Sequence, residues 1–167
     1  MNDESKALDR IDHEILALLQ NNARLSNKEL AATVGLAPSS CLARVQRLVR
    51  DGVIRGFHAS VDPRALGIEL EALVFVRLVR HARELVQSTW DELMAMPEVR
   101  DIFYVAGSHD LVVHVVARDV EHLRSLVAER FGGEQVGHIE TALIFQHRRR
   151  PKLPDFALDE ARAGRAR

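Results

Sequence analysis

The chain has 167 residues, 47% of them apolar and 28% charged, an ordinary globular composition that excludes disordered, collagen-like and mucin-like chains. No apolar run approaches the roughly 18 residues of a membrane span, and the polar, acidic start MNDESKALDRIDHE is not a secretory signal. One cysteine, Cys41, supports neither an internal disulfide nor a cysteine metal cage, which fits a reducing cytoplasm.

The net charge of −1 is unevenly spread: residues 1–60 sum to +1, residues 61–146 to −6 and residues 147–167 to +4. Between Ser26 and Ser60, Lys28, Arg44, Arg47, Arg50 and Arg55 face only Glu29 and Asp51. A locally basic segment in a near-neutral chain points to a surface built for a polyanion. The asymmetry also implies two domains.

Leu8, Ile11, Ile15, Leu18 and Leu19 fall at helical spacing, so residues 9–21 form an amphipathic helix. Ser26-Asn27-Lys28-Glu29 is a capping box, flanked by Leu25 and Leu30 as a hydrophobic staple. Gly35 stops this second helix by accepting a left-handed backbone, and Pro38 opens a third at the position where proline is tolerated. Helix, short turn with glycine, helix is the helix-turn-helix pattern.

The third helix carries the chemistry. At about 100° per residue, Cys41, Leu42, Val45, Leu48 and Val49 form one arc, and Ser39, Ser40, Ala43, Arg44, Gln46, Arg47 and Arg50 the other. A solvated face ordinarily mixes both signs of charge, whereas this second arc holds no acid. Arginine and glutamine pair bidentately with base edges in the major groove, and hydroxyls suit phosphates or bases. The expected partner is therefore double-stranded DNA. Residues 51–61 alternate between glycines as a short strand or wing, where Arg55 and His58 can reach phosphate, and residues 61–68 connect to the second domain.

Residues 73–79 read as a buried strand. Residues 83–96 form a helix with Leu85, Thr89, Leu93 and Met96 inward, ended by Pro97. Then come strands at 101–105 and 111–116, a helix at 120–131 and a strand at 141–145. The order βαββαβ implies a ferredoxin-like antiparallel sheet with both helices on one face. The bare, apolar opposite face calls for a partner, and a homodimer would supply the two-fold symmetry that helix-turn-helix proteins use on palindromic sites.

The turn Ala106-Gly107-Ser108-His109-Asp110 admits two readings. It is a plain hairpin built from turn formers, or its backbone N–H groups at Gly107 and Ser108 receive an amino acid carboxylate while Asp110 answers the ammonium. His114 inside an apolar strand is a satisfied core or interface histidine, and no metal or cofactor is expected. Trp90 belongs to core or interface, and Cys41 is a small buried hydrophobe. The basic stretch His147-Arg148-Arg149-Arg150-Pro151-Lys152 is either a solvated tail or a source of non-specific nucleic-acid affinity.

Leu8-Asp9-Arg10-Ile11-Asp12, the helix-turn-helix, Arg44-Val45-Gln46-Arg47-Leu48, Gly52-Val53-Ile54-Arg55-Gly56 and Val105-Ala106-Gly107-Ser108-His109-Asp110 occur in one order, and together resemble the Lrp/AsnC (feast/famine) transcriptional regulators over residues 6–147. The resemblance implies an α+β chain: a winged helix-turn-helix (1–60), a connector (61–68), a ferredoxin-like RAM domain (69–147) and a basic tail (148–167). It implies DNA contacts by Ser39, Ser40, Ala43, Arg44, Arg47, Arg50 and Arg55, and dimers that assemble further, for instance to octamers. It also implies an amino acid or similar effector between dimers, bound by Tyr104, the Ala106, Gly107, Ser108, His109 and Asp110 loop, and Thr141, with the stretch Gly137-His138-Ile139-Glu140-Thr141 lining the same region. Ala37 departs from the family's capping serine, a loss of about 1 kcal/mol, and His109 stands where relatives often carry tyrosine. Two other readings are an effector-independent architectural DNA-binding protein and a siroheme-decarboxylase-like enzyme; the latter fits poorly with 5% aromatic residues and an acidic second domain.

Overall fold

The computed structural model describes residues 7–79, 83–133, 135–150 and 152–157, with backbone only for 83–86. It divides into two compact units, residues 1–60 with 148–167, and residues 61–147. The tail thus groups with the N-terminal helices rather than with the sheet that precedes it in sequence.

The first unit holds three helices, α1 (Arg10–Asn21), α2 (Asn27–Val34) and α3 (Pro38–Arg50). Local signals place each boundary. Asp9 caps α1 in a capping box with Asp12, and Ser26 caps α2 in one with Glu29. Gly35 ends α2 at φ 70°, a left-handed conformation that costs glycine nothing. Pro38 is at the start of α3, where Ala37 makes no side-chain cap bond. Ile15, Leu30, Ala31, Cys41 and Leu48 form the fully buried centre of this unit. Leu42 and Val49, expected inward, are both 45% exposed; they lie at the margin of the buried arc rather than at its middle.

No wing strand forms among the described residues. Residues 51–54 are a tight turn in which the Gly52 N–H bonds the Val49 carbonyl and the Ile54 N–H the Leu48 carbonyl, and 55–62 continue without regular structure. A strand exists only through its ladder, and this unit offers no second one among its described residues.

The second unit is β1 (Leu70–Leu78), α4 (Arg83–Met94), β2 (Val99–Tyr104), β3 (Leu111–Ala117), α5 (Val120–Arg130) and β4 (Val136–Leu143). All strand pairs are antiparallel in the order β2-β3-β1-β4, the βαββαβ arrangement expected. Ala72, Val74, Val76 and Leu78 of β1 and Leu111, Val113, Val115 and Ala117 of β3 are buried with Leu93, Leu123, Leu126 and Phe131. Alternation puts Leu73, Phe75, Arg77, Val112 and His114 on the opposite face. Trp90 packs partly buried against the core. The Leu85 side chain lies outside the described residues.

Strand β4 begins five residues before the expected 141 and ends at Leu143. Hydrophobicity favours the run 141–145, but pairing with β1 decides the position: Val136 meets Leu78 and Leu143 meets Ala72. Phe145, beyond the ladder, is 96% exposed. Among the described residues no helix is long and apolar enough to cross a membrane, and no group of three or more His, Cys, Asp or Glu is placed to hold a metal ion.

Candidate nucleic-acid interface and effector loop

Helix α3 presents its polar arc outward. Ser39, Ser40, Ala43, Gln46 and Arg50 are exposed, and at about 100° per residue Ser39, Ala43, Gln46 and Arg50 fall within one narrow stripe. Such a stripe offers a hydroxyl, a methyl, an amide and a guanidinium, the groups that read base edges and grip phosphates. Arg55 and His58 are also exposed, on the segment after the helix.

Arg44 and Arg47 sit one step around the helix, and here the structure adds what the helix alone does not contain. Asp12 of α1, with its side chain only 1% exposed, accepts from Arg44 Nη1 at 2.9 Å on Oδ1 and from Arg47 Nη2 at 2.5 Å on Oδ2. Asp9 Oδ2 accepts a further bond from Arg44 Nη1 at 2.6 Å. Side-chain exposure falls to 29% for Arg44 and 21% for Arg47. The arc without acids on its own helix is therefore partly neutralised by two aspartates 32 to 35 residues earlier.

Titration follows this geometry. Partial burial pushes the Asp9 carboxyl up, but the Asp12 N–H and the Arg44 guanidinium outweigh it and hold Asp9 below its ordinary range. The bonds to Asp9 and Asp12 raise Arg44 further. At the start of α2, the Ser26 hydroxyl and N–H stabilise the Glu29 carboxylate and lower its pKa. Burial raises the Cys41 thiol, against a smaller opposing effect of Arg44.

In the second unit, residues 105–110 join β2 to β3. Gly107 has φ 150°, and Ala106, Gly107 and Ser108 are exposed. Asp110 is 7% exposed and its Oδ2 accepts from the Leu78 N–H at 2.8 Å. Its own N–H donates to the Val76 carbonyl and its carbonyl accepts from the Val105 N–H. Asp110 therefore ties the loop to β1, a role it fills whether or not a ligand binds.

Two residues that the sequence did not single out, Phe75 and Arg77, complete the surroundings together with Glu140 of the 137–141 stretch. Arg77 Nε donates to the Ser108 carbonyl at 2.9 Å. His109 Nε2 lies 3.7 Å from Glu140 Oε2, and its ring centroid is 5.4 Å from that of Phe75. Phe75 and Glu140 are cross-strand partners, so they share one face of the sheet. Thr141 is opposite Val74 and Tyr104 opposite Leu111, which places both on the other face. The structure thus gathers residues 106–110 with Phe75, Arg77 and Glu140, and not with Thr141. The lone arginine in the apolar run of β1 was the available signal for Arg77.

His114 Nε2 lies 2.8 Å from Glu71 Oε2 and its Nδ1 3.4 Å from Asp101 Oδ2. It is a satisfied histidine of the open sheet face, as its strand context implied.

Comparison with known proteins converges on one family. Residues 8–55 match a winged helix-turn-helix DNA-binding domain, and residues 71–152 match the Lrp/AsnC ligand binding domain. The chain is 45% identical over 143 residues to the HTH-type transcriptional regulator AldR of Mycobacterium tuberculosis, spanning 85% of this chain and 80% of that protein. It is similar to the crystal structure of M. tuberculosis AldR (TM-score 0.73, 40% identity, 88% of this chain and 100% of that one). It is also similar to a Neisseria meningitidis transcriptional regulator solved in complex with L-Met (TM-score 0.78, 27% identity, 86% and 94%).

Proposed function

Because the chain belongs to the Lrp/AsnC family of DNA-binding transcriptional regulators, we propose that it recognises a specific operator and that an amino acid or similar small metabolite modulates this binding. The observation that carries the DNA half is the outward stripe Ser39, Ala43, Gln46 and Arg50 on α3. In this reading Gln46 and Arg50 supply base or phosphate contacts, Ser39 and Ser40 bind phosphate or base oxygens, and Ala43 permits close approach to a thymine methyl. Arg55 takes a backbone phosphate. Arg44 and Arg47 set the pose of α3 from Asp12, and their remaining N–H groups meet phosphates at the groove edge.

The effector half rests on the loop at 106–110. The backbone N–H groups of its exposed residues Ala106, Gly107 and Ser108 suit a carboxylate, and Glu140, beside His109, offers the ammonium an acceptor that does not compete with the bond from the Leu78 N–H to Asp110. The L-Met complex of the neisserial relative supports an amino acid as the ligand class. The open sheet face, with Phe103 51% exposed beside Leu73, Phe75 and Val112, is the proposed homodimer surface. Two such dimers or more would assemble around the effector, as far as an octamer, in the cytoplasm. An effector shifts DNA binding only through different affinities for the two states.

A footprint on the DNA upstream of its own gene, with excess competitor at physiological salt, tests both halves. Expected is protection of half-sites spaced by whole helical turns, altered by one amino acid of a panel. Protection that no amino acid changes, with no thermal shift, would leave an architectural protein. No protection with or without the panel would sink the operator reading.

A further inference from the structure

The tail left unassigned by the sequence is fixed to the DNA-binding unit. The Leu153 N–H donates to Gln20 Oε1 at 2.7 Å, and His13 Nδ1 lies 2.7 Å from Asp155 Oδ2. Both anchors are on α1. Leu153, Pro154 and Phe156 share with Leu16, Leu19 and Phe57 the lining of a cavity of about 920 Å³. Arg149 lines the same cavity as Arg55 and His58.

Immediately before these anchors stand Arg148, Arg149, Arg150 and Lys152, with no acid among them. All four are exposed, and no ion pair among the described residues involves any of them. The contrast with α3 is informative. There Asp9 and Asp12 neutralise two guanidiniums, so the recognition helix contributes less to long-range attraction than its sequence suggests. The first 60 residues carry a net +1, and adding residues 148–157 raises this to +4. A cluster of like charges held close together costs self-repulsion that a polyanion relieves. Guanidiniums also match phosphate oxygens bidentately.

We propose that Arg148, Arg149, Arg150 and Lys152 form a second DNA-contacting element, a clamp anchored on α1 that binds backbone phosphates of the duplex beside residues 53–58. It rests on the DNA-binding reading of this unit and extends it beyond the helix-turn-helix. The clamp contributes affinity and register and no base preference, since phosphates carry no sequence information.

The test uses the full chain, an operator duplex located by footprinting and a duplex of scrambled half-sites. Each phosphate that a protein stops neutralising reduces the slope of log K against log salt by about 0.9. For the R148Q/R149Q/R150Q/K152Q variant the slope is expected to fall by about 2–3, with the ratio of operator to scrambled binding unchanged. The H13L/Q20L variant keeps every tail charge but removes both anchors; once thermal unfolding confirms that it folds, its slope is expected to move toward that of the quadruple variant. An unchanged slope in the quadruple variant overturns the clamp alone. An unchanged slope in H13L/Q20L overturns the anchoring and leaves a loose polycation. A wild-type chain that protects no operator in the footprint and binds the scrambled duplex no better than buffer overturns the DNA reading and the clamp with it.

Discussion

Asp12 and Arg47 form an ion pair across two helices, with the carboxylate 1% and the guanidinium 21% exposed. Arg44 shares the same carboxylate from its other side, so one buried aspartate of α1 holds two arginines of α3. Removing one partner of a buried pair leaves uncompensated charge, at a cost of about 3–5 kcal/mol. Because both arginines keep some solvent, Asp12→Asn is expected near the low end, about 3 kcal/mol, in denaturant unfolding of the full chain. A loss below about 0.5 kcal/mol, the scale of exposed pairs, would show that the pair does not orient α3.

The same geometry separates two kinds of arginine. Arg50→Ala removes an exposed side chain whose ion-pair partner is the adjacent Asp51 at 3.3 Å, so stability is expected to change little while operator binding weakens by about 1–3 kcal/mol. Arg44→Ala is expected to lower both, since it strips two aspartates of a partner. Equal stability of the two variants would contradict the division.

Ala37 occupies the cap of α3 with φ −64° and ψ 143° and no side-chain bond, a backbone already shaped for a serine. Ala37→Ser is expected to stabilise the protein by about 1 kcal/mol through a bond to an orphan N–H of the first turn. A thermal melt of the two proteins side by side checks it, and an unchanged midpoint would mean that the new hydroxyl points to water.

Signals that act within a few residues are legible in the sequence. The Ser26–Glu29 box and Gly35 place helix ends through bonds spanning three or four positions, and Pro38 opens α3 through its fixed φ at the first helical position. The ion pairs of Asp12 span 32 and 35 positions, and the tail anchors 142 and 133. No periodicity encodes such distances, so in sequence the basic arc reads as unpaired and the tail as loose. The bounds of β4 are hidden for a related reason. Most of its residues are exposed, and pairing with β1 rather than hydrophobicity sets its register. In the effector loop, the positions of the Gly and Asp are legible, but not that the Asp110 carboxylate accepts from the β1 backbone.

Acid is expected to weaken the helix starts. Asp9 and Glu29 both have folded-state pKa values below their ordinary ones. A depressed carboxylate contributes stability that is present above its unfolded pKa, about 4, and is lost as pH falls through the folded value. Stability is therefore expected to fall with decreasing pH below about 4, and Asp9→Asn with Glu29→Gln should flatten that dependence. Parallel acid titrations of unfolding free energy would test it; identical slopes would assign the acid sensitivity to other groups.

Cys41 offers a probe of the same unit from inside. Its side chain is completely buried, and burial raises its pKa, so the reactive thiolate is scarce at neutral pH. An aromatic disulfide reagent is expected to label native protein only as fast as the first unit opens, and urea should accelerate labelling in step with unfolding of α1–α3. Asp12→Asn, by loosening α3 against α1, should speed labelling at pH 7 by about the factor its stability loss predicts, roughly 100-fold for about 3 kcal/mol, if opening equilibrates before reaction. Rapid labelling of the wild-type protein would instead mean that α3 leaves its seat without unfolding, and that the two aspartates hold it less firmly than their geometry implies.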